Sequence, residues 1–263
     1  MNTSAFQIMK DSCIFLWNHK RIILAIVLFA GVAVAIAAFL CAILLAGALL
    51  IIGTDALLLL FHNFAAGIFP LLTPWLVCIL GAGLFLGMLL VMFYPRVCTA
   101  YYVLSLLRSE PVTIWQAFGF GVRQTVAAWR VVAGMTLFPL MVLTTAAVLL
   151  LLFGLVGIIF SIVGLSALLW FLAAIYFVEQ LVADGAVDFI GTVATSWNYV
   201  KRSWWQVFGV CFLLWVVNLI CSFALSSYIF PLVGFVMSAW YSVATNKIYL
   251  IARSESTYKY SSE

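Results

Sequence analysis

Ionisable side chains are scarce in this chain. Only 8% of its 263 residues are Asp, Glu, Lys or Arg, against about 25% in an ordinary soluble domain. A soluble globule of this length needs many more charges to cover its surface, so the apolar excess must face something other than water. Histidine is rarer still. His19 and His62 are the only two, and the topology argued below puts them on opposite sides of a bilayer, where they cannot share a metal. The chain has no G-x-x-x-x-G-K, G-x-G-x-x-G, H-E-x-x-H or G-x-S-x-G, so the phosphate-cradling, zinc-protease and nucleophile-elbow signatures are all missing. The six cysteines, Cys13, Cys41, Cys78, Cys98, Cys211 and Cys221, include no C-x-x-C pair. They are expected to be reduced thiols without a disulfide frame. No catalytic residue, metal site or cofactor is assigned.

Long apolar runs are what the chain has. No charge occurs from Ile22 to Thr54, none in the 48 residues from Val131 to Val178, and none in the 44 from Ser203 to Asn246. About 20 apolar residues in a helix cross a hydrocarbon core about 30 Å thick. The last two runs are each twice that length, so each reads as a helical hairpin. Turn residues sit mid-run, at Gly154, Gly157 and Ser161 in one and at Ser226, Ser227, Tyr228 and Pro231 in the other. The first third offers spans near 22–47 and 70–95. The expected fold is an all-α, polytopic helical membrane protein, a single membrane domain over 1–263. Its six transmembrane helices form three hairpins, at about 22–95, 131–183 and 205–250.

Twelve basic residues orient this arrangement. With six spans, all twelve fall on the side that holds both termini and the two long connections. The positive-inside rule makes that side cytoplasmic. The net charge of +4 is this bias and calls for no nucleic-acid partner. The first apolar run is too long for a signal-peptide core and reads as a permanent span.

A moderately polar segment with helical spacing precedes each hairpin. In 5–18 the apolar set is Phe6, Met9, Cys13 and Leu16. In 113–129 it is Trp115, Phe118, Val122, Val126 and Trp129, and Thr113 with Gln116 can form a capping box. In 188–204 it is Ile190, Val193, Trp197, Val200 and Trp204. Each is expected to be an amphipathic helix in the cytoplasmic interface, with Trp at headgroup depth. The second and third segments align at an offset of 75 residues, pairing Trp129 with Trp204 and Gly134 with Gly209. An internal repeat explains this; so does the shared demand of any interfacial helix ahead of a span.

Three stretches carry a family resemblance: Phe6 to Trp17 with His19-Lys20-Arg21; Phe93-Tyr94 through Tyr101-Tyr102 to Pro111-Val112-Thr113-Ile114-Trp115; and Trp170 through Asp184-Gly185 to Ser196-Trp197 and Trp204-Trp205. On these the chain resembles a family of bacterial six-span membrane proteins known only as a domain of unknown function. The likeness covers most of the chain. It implies a fold and a bacterial cytoplasmic (inner) membrane, and no activity. Where compared members carry a Pro late in span four, this chain reads Phe177-Val178-Glu179-Gln180.

Candidate functional residues are few. Arg123, Arg130, Lys201 and Arg202, with Trp129, Trp197 and Trp204, suit contact with anionic headgroups or a protein partner on one leaflet. Glu179 is the acid nearest the membrane interior. It is expected to pair with Lys201, Arg202 or Arg130, the competing reading being a proton or cation site. Asn218 is the most deeply placed strong hydrogen-bonding side chain, expected to serve helix packing. Gly83-x-x-x-Gly87 fits either a dimer contact or internal packing. The segment 56–69, with His62 and Asn63, reads as an interfacial helix on the outer surface. Asp184-Gly185-Ala186-Val187-Asp188 begins like the acidic motif of CDP-alcohol phosphotransferases, but Phe189 and Ile190 follow where that motif continues differently. It reads as a solvated turn leading to Asp188 as an N-cap. The functional expectation is a non-enzymatic membrane component that binds lipid, a protein partner or a second copy of itself. The alternative is a transporter or permease subunit for an apolar or weakly polar substrate without intrinsic ATP use.

Overall fold

The computed structural model describes residues 4–52, 91, 93–224 and 230–260. The segment 56–69, the Gly83/Gly87 pair and most of the expected second span lie outside them. Among the described residues the chain is all helix and turn, with no strand. In chain order the helices are α1 (Ala5–Asn18), α2 (Arg21–Ile52), α3 (93–107), α4 (Ile114–Ala127), α5 (Trp129–Phe153) and α6 (Leu155–Ala174). They continue with α7 (Val178–Ala183), α8 (Phe189–Arg202), α9 (Trp204–Ala224) and α10 (Phe230–Tyr260).

Three of these helices are long and apolar enough to cross a membrane: Arg21–Ala42, Trp129–Ala146, and Ile162–Ala183, which runs through α6 and α7. Their mean hydropathies are 3.0, 1.4 and 2.0. The apolar part of α9, Trp204–Val217, is shorter. The described residues thus supply three helices of spanning length and apolarity, where the sequence predicts six.

Local chemistry explains where the short helices begin and end. Ser4 caps α1, Thr113 and Gln116 form a full capping box on α4, and Asp188 accepts from the Gly191 N–H at 2.7 Å to cap α8. The helices ahead of α4 and α8 stop in the same way. After α3, Ser109 (φ 60) donates to Leu106 O and Glu110 to Ser105 O. After α7, Gly185 (φ 100) donates to Val182 O and Ala186 to Leu181 O. Both are Schellman closures through one left-handed residue.

Helices α4 and α8 bury a face of small residues, whereas α1 buries Ile8, Met9 and Leu16 beside Ser12. In α4 the buried residues are Ala117, Gly121 and Thr125; in α8 they are Thr192, Ser196 and Val200. These sets stand 75 residues apart, position for position. In α1, Ile8, Ser12 and Leu16 occupy the same spacing. Large apolar groups point outward instead, with Trp17, Trp115 and Ile190 at 73–77% exposure. An outward Trp is costly against water and favourable in a membrane interface.

Close backbone approach explains the small face. A Cβ on Gly121 would lie 2.1 Å from Cys98 Sγ and 3.0 Å from Cys98 Cα. Burial pushes the Cys98 thiol up to about 12, so this side chain packs as a small neutral group. Ser196 Oγ accepts from the Phe177 N–H at 3.0 Å, satisfying a donor at the break between α6 and α7. Trp240 Nε1 on α10 donates to Met9 O at 3.1 Å and ties α1 to the far end of the chain. Thus α4 packs on α3, α8 on the α6–α7 break and α7, and α1 on α10.

The turn expected at Gly154 is present: its φ of 51 separates α5 from α6, which pack against each other. Pro231 stands second in α10, where its missing N–H costs nothing. The described cysteines Cys13, Cys41, Cys98 and Cys211 are free thiols.

Candidate functional site

Helix α7 is six residues long, too short to stand by itself. Buried apolar residues, Phe177, Val178 and Val182 among them, hold it in the core. Its two polar ends are held by different means. At the start, Glu179 meets Arg96 of α3, Nη1 to Oε1 3.1 Å. The acid pairs, but with none of the three bases the sequence suggested. Chain order and hydropathy do not reveal that α3 is the neighbour of α7.

Asp184 closes the other end. Arg108, in the turn after α3, reaches its carboxylate at 2.9 and 3.0 Å, Tyr249 of α10 donates to it at 2.5 Å, and Arg253 of α10 also pairs with it. Although the residue sits on an exposed turn, its side chain is only 14% exposed. The expectation of a solvated turn holds for the backbone and fails for the carboxylate. A buried carboxylate needs such donors. The signal lay in Arg108 and Arg253, whose convergence on one acid depends on tertiary packing.

A cleft of about 740 Å³ opens beside the Glu179 end of α7, between α2, α3 and α10. One wall is apolar and small: Ile26, Ala30, Ala33 and Ala37 line up along α2. The opposite wall is polar, with Arg96, Thr99, Glu179, Gln180, Tyr241 and Ser242 among its residues. Gln180 is 3% exposed, and its buried Oε1 has no hydrogen-bond partner. A buried unpaired acceptor costs about 1–3 kcal/mol, which singles out this wall.

A second cleft, of about 730 Å³, lies where α1 turns into α2. Trp17, His19, Lys20, Arg21, Tyr102 and Thr113 are among its lining residues. Lys20 Nζ stands 4.6 Å over the Trp17 ring, a cation held against an aromatic face. The run His19-Lys20-Arg21 was visible in the sequence, but its juxtaposition with Tyr102 and the α4 cap was not.

The basic and Trp residues singled out from sequence are exposed, except Trp197, which is half-buried against the core, and they do not meet at one point. Arg130 stacks over Trp129 at 5.7 Å, and Trp197 packs on Trp170 at 5.3 Å. Phe189 packs against Gly134, one turn from Arg130. Lys201 and Arg202 end α8, about 18 Å further along it. Arg123 lies exposed on α4, and Trp204 is 43% exposed at the start of α9. Among the described residues, none of Lys20, Arg21, Arg123, Arg130, Lys201 and Arg202 forms an ion pair. Asn218 lies in α9, with its side chain outside the described ones.

No group of three or more His, Cys, Asp or Glu among the described residues could hold a metal ion. Searches against protein-family models, curated proteins and solved structures give no match to this chain.

Proposed function

We propose that this chain is a non-enzymatic integral membrane protein that binds phospholipid at its cytoplasmic interface. In this reading it has six spans in three hairpins, both termini in the cytoplasm, and a place in a bacterial inner membrane. One observation carries the proposal. The cleft at the α1–α2 turn gathers Lys20, Arg21 and His19 beside Trp17 with no acid in its lining. Unpaired bases next to an outward Trp match an anionic headgroup at a bilayer surface. Exposed Arg123, Arg130, Lys201 and Arg202 offer the same basic chemistry on α4, α5 and α8.

Native mass spectrometry of the protein extracted in mild detergent tests this. Anionic phospholipid is expected to co-purify, and Lys20→Gln with Arg21→Gln is expected to lower its retention about thirtyfold, at about 1 kcal/mol per base. Neutralising Arg123, Arg130, Lys201 and Arg202 is expected to remove further bound lipid. Retention unchanged in both sets would overturn the reading. A protein of fixed stoichiometry in place of lipid would make the chain a complex subunit.

A second reading, a permease subunit without intrinsic ATP use, draws on a different feature. The helix of spanning length that runs through Ile162–Ala183 breaks at 175–177 beside the polar cleft, and broken helices mark substrate sites in many transporters. Absence of flux in proteoliposomes, with and without candidate partners, would dismiss it.

A further inference from the structure

The cleft beside α7 differs from the basic one in carrying both signs of charge. Arg96 and Glu179 share a single contact, Nη1 to Oε1, which leaves further guanidinium donors and the second carboxylate oxygen available. Gln180 follows Glu179 in sequence and has an unpaired amide oxygen. On the same polar side Ser238, Tyr241 and Ser242 add hydroxyls, and α2 adds a track of small side chains. From Ile26 to Ala37 that track is about 16 Å long. Its volume falls within the range of ligand pockets, about 300–1,000 Å³.

We infer that this cleft holds one zwitterionic phospholipid of the ethanolamine type, with its head group between Arg96 and Glu179 and an acyl chain along α2. The inference deepens the lipid-binding reading and rests on it. A phosphate meets the free guanidinium donors while an ammonium donates to Glu179, so the ligand widens one ion pair into two. Neither partner is left as an uncompensated charge, which a purely anionic or purely cationic ligand would cause. The N–H donors of the ammonium match the carboxylate; a trimethylated choline head lacks them. Ile26 and Ala33 anchor α2 in the core, while Ala30 and Ala37, only partly buried, leave the small-sided track along which a flexible chain can lie.

The test uses the full-length protein, delipidated in detergent and titrated with phosphatidylethanolamine or phosphatidylcholine of identical chains, read by native mass spectrometry. The wild type is expected to bind one phosphatidylethanolamine about tenfold more tightly than phosphatidylcholine, the worth of one charge-assisted hydrogen bond. Glu179→Gln is expected to erase the preference and Arg96→Gln to weaken both lipids. Ala37→Leu leaves the ion pair intact and is expected to lower binding by filling the chain track. Glycerophosphoethanolamine, the head group without chains, is expected to bind far more weakly than the lipid. Equal affinity of the wild type for the two lipids, an unchanged preference in Glu179→Gln, or full binding in Ala37→Leu would each overturn the inference. So would glycerophosphoethanolamine binding as tightly as the lipid. Loss of phosphatidylethanolamine binding alongside intact retention of anionic lipid by Lys20 and Arg21 would overturn this inference alone and leave the proposed function standing.

Discussion

The two ends of α7 carry one carboxylate each, five residues apart, and their surroundings differ. Asp184 is 14% exposed and meets two arginines and a tyrosine drawn from the turn after α3 and from α10. Glu179 is 24% exposed and meets one arginine, itself 64% exposed, at the edge of a cleft. A carboxylate held by three side chains from two parts of the chain is a clamp. One with lone pairs to spare beside an open volume is positioned to meet something else. The difference separates a residue that holds the fold from one that is available for binding, and nothing in the local sequence marks which is which.

The largest effect is expected at the clamp. Asp184→Ala leaves Arg108, Arg253 and the Tyr249 hydroxyl without their shared acceptor. After allowance for the partly exposed arginines, it is expected to cost about 2–3 kcal/mol in detergent-solubilised thermal unfolding. A loss near zero would place Asp184 in the same class as Glu179.

Gly121→Ala comes next. The added methyl meets Cys98 backbone as well as its sulfur, and is expected to cost about 1–3 kcal/mol by overpacking. Gly119→Ala, two residues away with open space around it, is expected to be neutral or to stabilise by up to about 1 kcal/mol through helix propensity. If both behave alike, α4 does not approach α3 as described. The cap supplies a smaller effect still: Thr113→Ala is expected to cost about 1 kcal/mol, read by the same unfolding.

Glu179→Gln sits at the bottom of the series for stability. A half-exposed pair is worth about 0–1 kcal/mol, so its melting is expected to stay near the wild type while lipid selectivity changes. Labelling sharpens the burial picture from another side. With its thiol near 12 and its side chain buried, Cys98 is expected to resist maleimide at pH 8 while exposed Cys13 reacts. Fast modification of Cys98 would show that α4 lifts away from α3.

Local signals in the sequence translated well into local structure. The three short helices, the capping box at Thr113 and Gln116, the Asp188 cap and the Gly154 turn each depend on neighbours within a few residues, and each is present. The 75-residue offset gains weight from burial, because Ala117, Gly121 and Thr125 match Thr192, Ser196 and Val200 as inward faces while their residue types differ. Side-chain partnerships were not legible. Glu179 with Arg96 and Asp184 with Arg108 are separated by 83 and 76 residues, and only helix neighbourhood decides them. Of the apolar stripe read on α4, Trp115, Val122, Val126 and Trp129 face outward, as an interfacial helix requires, and Phe118 alone packs inward on Phe29 and Tyr94.

The most direct measurement places Glu179→Gln and Asp184→Ala side by side, each assayed for melting temperature and for phosphatidylethanolamine over phosphatidylcholine binding. The account predicts opposite signatures. Glu179→Gln keeps its melting temperature and loses the lipid preference; Asp184→Ala melts several degrees lower and, below its transition, keeps the preference. Two variants that lose stability and preference together would contradict the division between a clamped end and an available one.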